Sequence, residues 1–222
     1  MVFYLFHIPY TFFMPKKKIA LVEIQYLPPV SYMMLFKNFD EVRIESCENY
    51  QKGSFRNRCI IATSAGTQIL SVPLKKGKND RQNIQDVQIA NETAWQRSTW
   101  KSIKTAYGSS PFWIFYAEKI EPHFSKKYNF LFDFNLELLQ TVLSLMKKDL
   151  PAEISFPEKY ISKDELDKNF ENEIQDYRNV FTPKNFAAFP VKKYPQVFSD
   201  RTGFIPNLSI LDALFCSGGL KS

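Results

Sequence analysis

The chain has 222 residues, of which 45% are hydrophobic, with 21 Phe and 11 Tyr; that is material for one substantial core, and 7 Gly against 13 Pro exclude low-complexity linkers. A net charge of +6, from 29 basic and 23 acidic residues, is modest and dispersed; without a recognition motif it argues against a nucleic-acid partner and fits an anionic small molecule such as a nucleotide-linked sugar. Two distant histidines and three cysteines without metal-ligand spacing exclude a histidine-rich metal cluster and a disulfide framework, and indicate a reducing, cytoplasmic compartment.

Residues 1–14 are nearly all apolar and are followed, not preceded, by the basic run Lys16-Lys17-Lys18. That polarity is opposite to a signal peptide, and the stretch is too short to span a bilayer. The expectation is therefore that Met14 is the true start, that residues 1–13 are a misassigned extension, and that 14–222 form a single domain. Lys18 to Gln25 reads as a buried strand ended by Pro28-Pro29. Val30 to Phe39 has the apolar spacing of a helix, and Glu41 to Ser46 alternates as a second strand. Strand, helix and strand in close succession predict a crossover and a partly parallel sheet. Asn57 to Thr63 and Gln68 to Leu74 flank Ser64-Ala65-Gly66-Thr67 as a hairpin. Lys75 to Asn83 reads as a mobile polar loop and Ile84 to Ala90 as a further strand.

Helices follow. Asn91 is a candidate cap for Glu92 to Tyr107, and Ser110-Pro111 for the next helix. Leu131 to Lys148 has the clearest helical period, with Asp133 and Asn135 as capping candidates. Residues 151–190 read as a solvated helix over part of Ser162 to Asn179, then an irregular excursion. Ile210 to Cys216 closes the chain as a short amphipathic helix. The fold class is α/β of mixed α+β character: a mixed sheet from the N-terminal half with a block of helices packed on it.

Between the second strand and the hairpin lies Glu48-Asn49-Tyr50-Gln51-Lys52-Gly53-Ser54-Phe55-Arg56-Asn57-Arg58-Cys59. Loops so dense in hydrogen-bonding side chains are more often binding surfaces than connectors. Arg56 or Arg58 would fork onto a phosphate or carboxylate, with a surface salt bridge as the competing role. Glu48 and Tyr50 would orient a hydroxyl-rich ligand, Glu48 also serving as general base, unless they only pin their own loop. Cys59 is the one thiol near these groups; as a nucleophile it needs a base that the neighbouring sequence lacks, and a buried structural role competes. Asn49, Gln51 and Asn57 add amide donors and acceptors. Tyr26, after a strand end, sits where open sheets place ligands. Trp95 would stack on a sugar face or fill the core, and Gln196 offers donors and an acceptor. Asp212, inside an apolar helix, needs a partner if buried; Arg58 and Tyr194 are candidates.

Several of these residues recur in one pattern. Tyr26-Leu27-Pro28-Pro29, Glu48-Asn49-Tyr50-Gln51, Arg56-Asn57-Arg58, Trp95-Gln96, Ser109-Ser110-Pro111-Phe112, Phe132-Asp133-Phe134-Asn135 and residues 203–212 (GFIPNLSILD) resemble the WbqC-like family of bacteria, in the shorter form of Bacteroidetes-type members. The chain departs from longer members in carrying Val22-Glu23-Ile24 in place of His-Gln-Pro, Thr99 where His is usual, and no Gly-rich segment within residues 151–190. The resemblance implies a cytosolic step in O-antigen or other surface-polysaccharide assembly. The expected activity is group transfer onto an activated or amino sugar, with a non-catalytic scaffold holding glycan-biosynthesis enzymes as the rival. No cofactor is identified and neither reading implies a bound metal.

Overall fold

The computed structural model describes residues 16–75, 81–167 and 173–220. The proposed extension at residues 1–13, the start at Met14 and residues 76–80 of the loop read as mobile lie outside the described residues. β1 (Lys18–Val22) is the centre of a four-stranded sheet. Ile19 to Val22 are all buried, as a continuous apolar run must be when both faces of a parallel strand are covered. The strand stops short of Gln25 because its neighbours diverge: the last backbone bonds run from Tyr177 N–H to Leu21 O and from Glu45 N–H to Val22 O, both 2.8 Å. The chain then turns through Leu27 (φ 44°) into Pro28-Pro29.

The helix expected over Val30–Phe39 is divided at Met34 into α1 (Val30–Met33) and α2 (Leu35–Asn38). Lys37 N–H reaches the Met34 carbonyl three residues back, at 3.1 Å, a tighter turn than an α-helix makes. β2 (Glu41–Ile44) returns parallel to β1, with Ile19 opposite Glu41. β3 (Arg58–Thr63) and β4 (Gly66–Ser71) form the expected hairpin as a separate two-stranded antiparallel sheet.

The strand expected at Ile84–Ala90 is instead a 3₁₀ turn, Ile84–Asp86, followed by isolated bridges. Asn83 caps that turn by accepting from Gln85 N–H at 2.9 Å, and Ile84, Val87 and Ile89 are buried at a spacing that is not strict alternation. α3 (Trp95–Tyr107) begins later than an Asn91 cap would allow, since Asn91 Nδ2 donates to the Tyr128 carbonyl. α4 (Trp113–Ile120), α5 (Pro122–Ser125) and α6 (Leu131–Leu145) follow. Ser110 does not cap α4: its hydroxyl donates to the Tyr107 carbonyl. Neither does Asp133 or Asn135 cap α6, whose N-cap position is Phe130; Asn135 is wholly buried and donates to the Arg56 carbonyl at 2.7 Å.

Residues 151–190 complete the sheet. β5 (Glu153–Ser155) and β6 (Glu173–Asp176) add to its two edges, giving the order β5-β2-β1-β6 with every pair parallel. The fold is α/β, but its main sheet is wholly parallel and takes its outer strands from the second half of the chain. α7 (Lys163–Asp167) lies between them. After α8 (Ser199–Thr202), α9 (Ile210–Ser217) closes the chain. It is buried on every side, not amphipathic, and packs against α1, α3, α4 and β3. One contiguous apolar core joins the sheet, the hairpin and the helices.

Candidate functional site

β2 and β5 lie to one side of β1 and β6 to the other, so the strand order reverses beside β1. Open parallel sheets hold ligands outside the carboxyl ends of their strands at such a reversal. Here those ends deliver polar side chains: Glu23 and Gln25 after β1, Glu45 to Gln51 after β2, and Arg178 and Asn179 after β6. A cleft of about 650 Å³ opens over them, with Glu48, Asn49, Tyr50 and Gln51 on one wall and Tyr160, Lys163, Asp176, Arg178 and Asn179 on the other. Cys47 and Arg81 complete the rim.

The floor is a network of buried charge. Arg56 has no exposed surface and grips Glu48 at both oxygens, Nε to Oε1 at 2.7 Å and Nη2 to Oε2 at 2.5 Å. The same Nη2 donates to Asn179 Oδ1 at 3.0 Å. Asn179 takes a left-handed conformation (φ 62°), and its N–H donates to Glu23 Oε2 at 2.8 Å. Glu45, wholly buried, accepts from Cys47 N–H, Ile161 N–H and Arg178 Nη1. Arg178 also forks onto Asp176 and donates to the Ile161 carbonyl at 2.8 Å, so one guanidinium joins the ends of β2 and β6 to the segment before α7. Burial pushes the Glu48 carboxyl above its ordinary value, with Arg56 pulling against it. Arg56 stays charged despite its own burial because Glu48 holds its proton. Arg81 and Lys163 make no ion pair among the described residues.

The structure brings together part of the expected constellation. Glu48, Asn49, Tyr50 and Gln51 face the cleft. Arg56 stands directly behind Glu48. Asn57 accepts from the Tyr50 hydroxyl at 3.0 Å and donates to the Val72 carbonyl, pinning the loop to the hairpin. Arg58, half-buried at the start of β3, lies off the cleft.

Tyr26, Cys59 and Trp95 do not line it either. Tyr26 is wholly buried with its ring 5.6 Å from Phe134, and its hydroxyl has no hydrogen-bond partner among the described residues. Trp95 meets Phe134 edge-on at 5.5 Å. Cys59 has no exposed surface, and burial pushes its thiol up, away from the thiolate a nucleophile requires. Gln196 belongs to a different cluster: its Nε2 donates to Asp212 Oδ2 at 2.8 Å and to the Ile205 carbonyl, and its Oε1 accepts from Ile205 N–H. Gln196, with Tyr194 close by, is thus the partner that Asp212 required.

Sequence reasoning missed Tyr160, Lys163, Asp176, Arg178 and Asn179. The signal was the polar run Gln175-Asp176-Tyr177-Arg178-Asn179 directly after Ile174, as dense as the Glu48 loop but without a strand long enough to announce itself. A second slot, of about 310 Å³, lies between Val30, Met34 and residues 190–195, but its walls are mainly apolar and offer no carboxylate or guanidinium. Among the described residues no group of three His, Cys, Asp or Glu side chains is placed to hold a metal ion, and no helix is long and apolar enough to cross a membrane.

Comparison with known proteins places this site in context. The family described as "WbqC-like protein family" matches residues 24–171. That match covers the Glu48 loop, Arg56 and Tyr160. An uncharacterised protein of Mycobacterium tuberculosis, Rv1507c, is 30% identical over 134 residues, which is 60% of this chain and 53% of that protein. This chain therefore spans about half the length of the curated relative it matches. No solved structure matches it.

Proposed function

Because this chain belongs to the WbqC-like protein family, we propose that it is a cytoplasmic enzyme of surface-polysaccharide assembly that acts on a polar, anionic sugar derivative held in the cleft. The observation that carries the reading is where the cleft sits and what it offers: at the strand-order reversal, with Arg81 and Lys163 in no ion pair among the described residues, beside the amides of Asn49, Gln51 and Asn179. Cations that no carboxylate among the described residues pairs directly, Asp176 acting on Lys163 only at longer range, are suited to an anionic ligand, and the amides to sugar hydroxyls. Glu48 is the group for proton transfer: it faces the cleft, its carboxyl is raised by burial, and Arg56 fixes its orientation. In this reading Glu48 accepts the proton of an attacking hydroxyl or amino group as that group bonds to the transferred sugar carbon, while the bond from that carbon to the donor's phosphate oxygen breaks and the oxygen leaves with the electron pair, as an anion held by the cations.

Thermal denaturation with a panel of nucleotide-linked sugars tests the proposal. A ligand that binds only the folded state at about 100 times its Kd adds about 2.7 kcal/mol of stability and raises Tm. The same shift should shrink in the Arg81→Ala and Lys163→Ala variants. No shift with any sugar derivative, together with no turnover, overturns the reading.

One observation favours a non-catalytic role in the same pathway. Both oxygens of Glu48 are occupied by Arg56, which leaves less freedom for proton transfer than for holding a ligand or a partner enzyme. Binding without turnover, with retention of a glycan-biosynthesis enzyme in Glu48→Gln protein, would decide for that role.

A further inference from the structure

Tyr160 stands apart from the other exposed large side chains. Ile69, Ile114, Phe115, Phe156 and Tyr160 are all exposed, and of these only Tyr160 lines the cleft. Its ring lies over the Arg178 guanidinium, 4.9 Å from carbon Cζ to the ring centroid. That guanidinium is nearly buried and is fixed by Glu45, Asp176 and the Ile161 carbonyl. The arrangement is an aromatic plate lining the cleft, with a cation against one face and about half of the residue's surface exposed. A core packing role does not account for a ring that is 51% exposed, and a salt bridge does not require an aromatic ring above it.

Resting on the reading of the cleft given above, we infer that the ligand is a nucleoside diphosphate derivative whose base stacks on Tyr160 while its phosphates lie against Arg81 and Lys163. A flat base fits the plate because every base has a π-face to stack, which makes the contact indifferent to base identity. The amides of Asn49, Gln51 and Asn179 supply donors and acceptors for the base edge and the ribose hydroxyls. Both requirements, a planar ring and an anion, are met by one cleft. A sugar phosphate without a base would leave the plate unused.

Titration calorimetry with uridine diphosphate, adenosine diphosphate and inorganic pyrophosphate tests the assignment in the wild type and in Tyr160→Phe and Tyr160→Ala. The expected result is that both nucleotides bind the wild type more tightly than pyrophosphate does. Tyr160→Phe keeps that advantage. Tyr160→Ala weakens both nucleotides by roughly tenfold, the scale of one base–aromatic stack, and leaves pyrophosphate unchanged. Equal binding of nucleotides and pyrophosphate by the wild type, or nucleotide binding unaltered in Tyr160→Ala, overturns the inference and leaves the cleft's proposed anionic ligand standing. Failure of the wild type to bind any of the three, and any nucleotide-linked sugar, overturns both. Far-ultraviolet circular dichroism of Tyr160→Ala verifies that an altered affinity reports on the ring and not on unfolding.

Discussion

Arg56 is the largest side chain with no exposed surface, and it is buried in order to hold Glu48. Burying two charges is expensive, and their attraction offsets the cost only when the geometry satisfies both. The paired contacts at 2.7 and 2.5 Å do so for Glu48, while Arg56 Nη1 has no hydrogen-bond partner among the described residues. Removing either partner strands a charge in the interior. Glu48→Gln and Arg56→Met should therefore each lower stability by about 3–5 kcal/mol, measured by urea denaturation. The combined Glu48→Gln/Arg56→Met variant should lose less than the sum of the two, because no unpaired charge remains. Strict additivity would mean that the pair is not coupled. At this scale the sequence was partly legible. The Glu48 loop announced itself by the density of its polar groups, but nothing in its spacing says that Arg56 turns inward to a carboxylate of its own loop. Cys59 ends that loop and Tyr26 follows the first strand, yet strand β3 and the turn after β1 aim them into the core.

Elements formed by long apolar patterns were readable, and those formed by tertiary demand were not. β1, β2, the hairpin and α6 each carry their period within their own residues. β5 and β6 have three and four residues, each with a single aliphatic side chain, Ile154 and Ile174. Such segments cannot display an alternation and are extended only because the backbones of β2 and β1 offer unpaired N–H and C=O groups to satisfy. Edge strands built this way need anchoring from outside the ladder. Arg178 supplies it, since its guanidinium reaches Glu45, Asp176 and the Ile161 carbonyl at once. Arg178→Met should loosen the segment from Pro157 to α7, raising amide hydrogen exchange at residues 157–167 by on the order of tenfold while the β3–β4 hairpin is unaffected. Arg178→Lys should restore the charge but not the fork, and so fall between the two. Uniform faster exchange across the whole chain would show instead that Arg178 supports global stability.

The whole molecule is closed by its last helix, and that closure sets how stability depends on pH. Ser209 N–H donates to the Ile60 carbonyl at 2.7 Å and Ile210 N–H to the Pro28 carbonyl at 2.8 Å, so the entry to α9 ties β3 to the exit of β1. Seating α9 in the core buries Asp212, and burial pushes its carboxyl up to about 6 against the pull of Tyr194, Gln196 and Tyr107. A carboxyl raised in the folded state binds its proton more tightly there than in the unfolded chain. Its contribution is thus complete below the unfolded value near 3.8 and is lost as pH rises through about 6. The opposite set comprises Asp176, Glu41 and Glu137. Burial alone would raise the first two, but Arg178 holds Asp176 down, and Ser155, Lys17 and Arg43 hold Glu41 down. Lys126 and Tyr128 do the same for Glu137. Their contribution is present above the ordinary carboxylate range and is lost on acidification. The Asp212 contribution should therefore grow as pH falls from 7 towards 5, with Glu48, raised by burial, acting in the same direction and His123, whose imidazole burial holds below its ordinary value, acting against it; in stronger acid stability declines as the other carboxylates are neutralised. The Asp212 part, a shift of about two pH units, amounts to roughly 3 kcal/mol once pH has fallen below 3.8, and roughly half of it is gained between pH 7 and pH 5. Asp212→Asn removes the titration and keeps an oxygen to accept from Gln196, so urea denaturation should show that variant's stability change between pH 7 and pH 5 lying below the wild type's by roughly 1.4 kcal/mol, with the same acid decline. A variant whose change over that first leg equals the wild type's would show that Asp212 does not supply it.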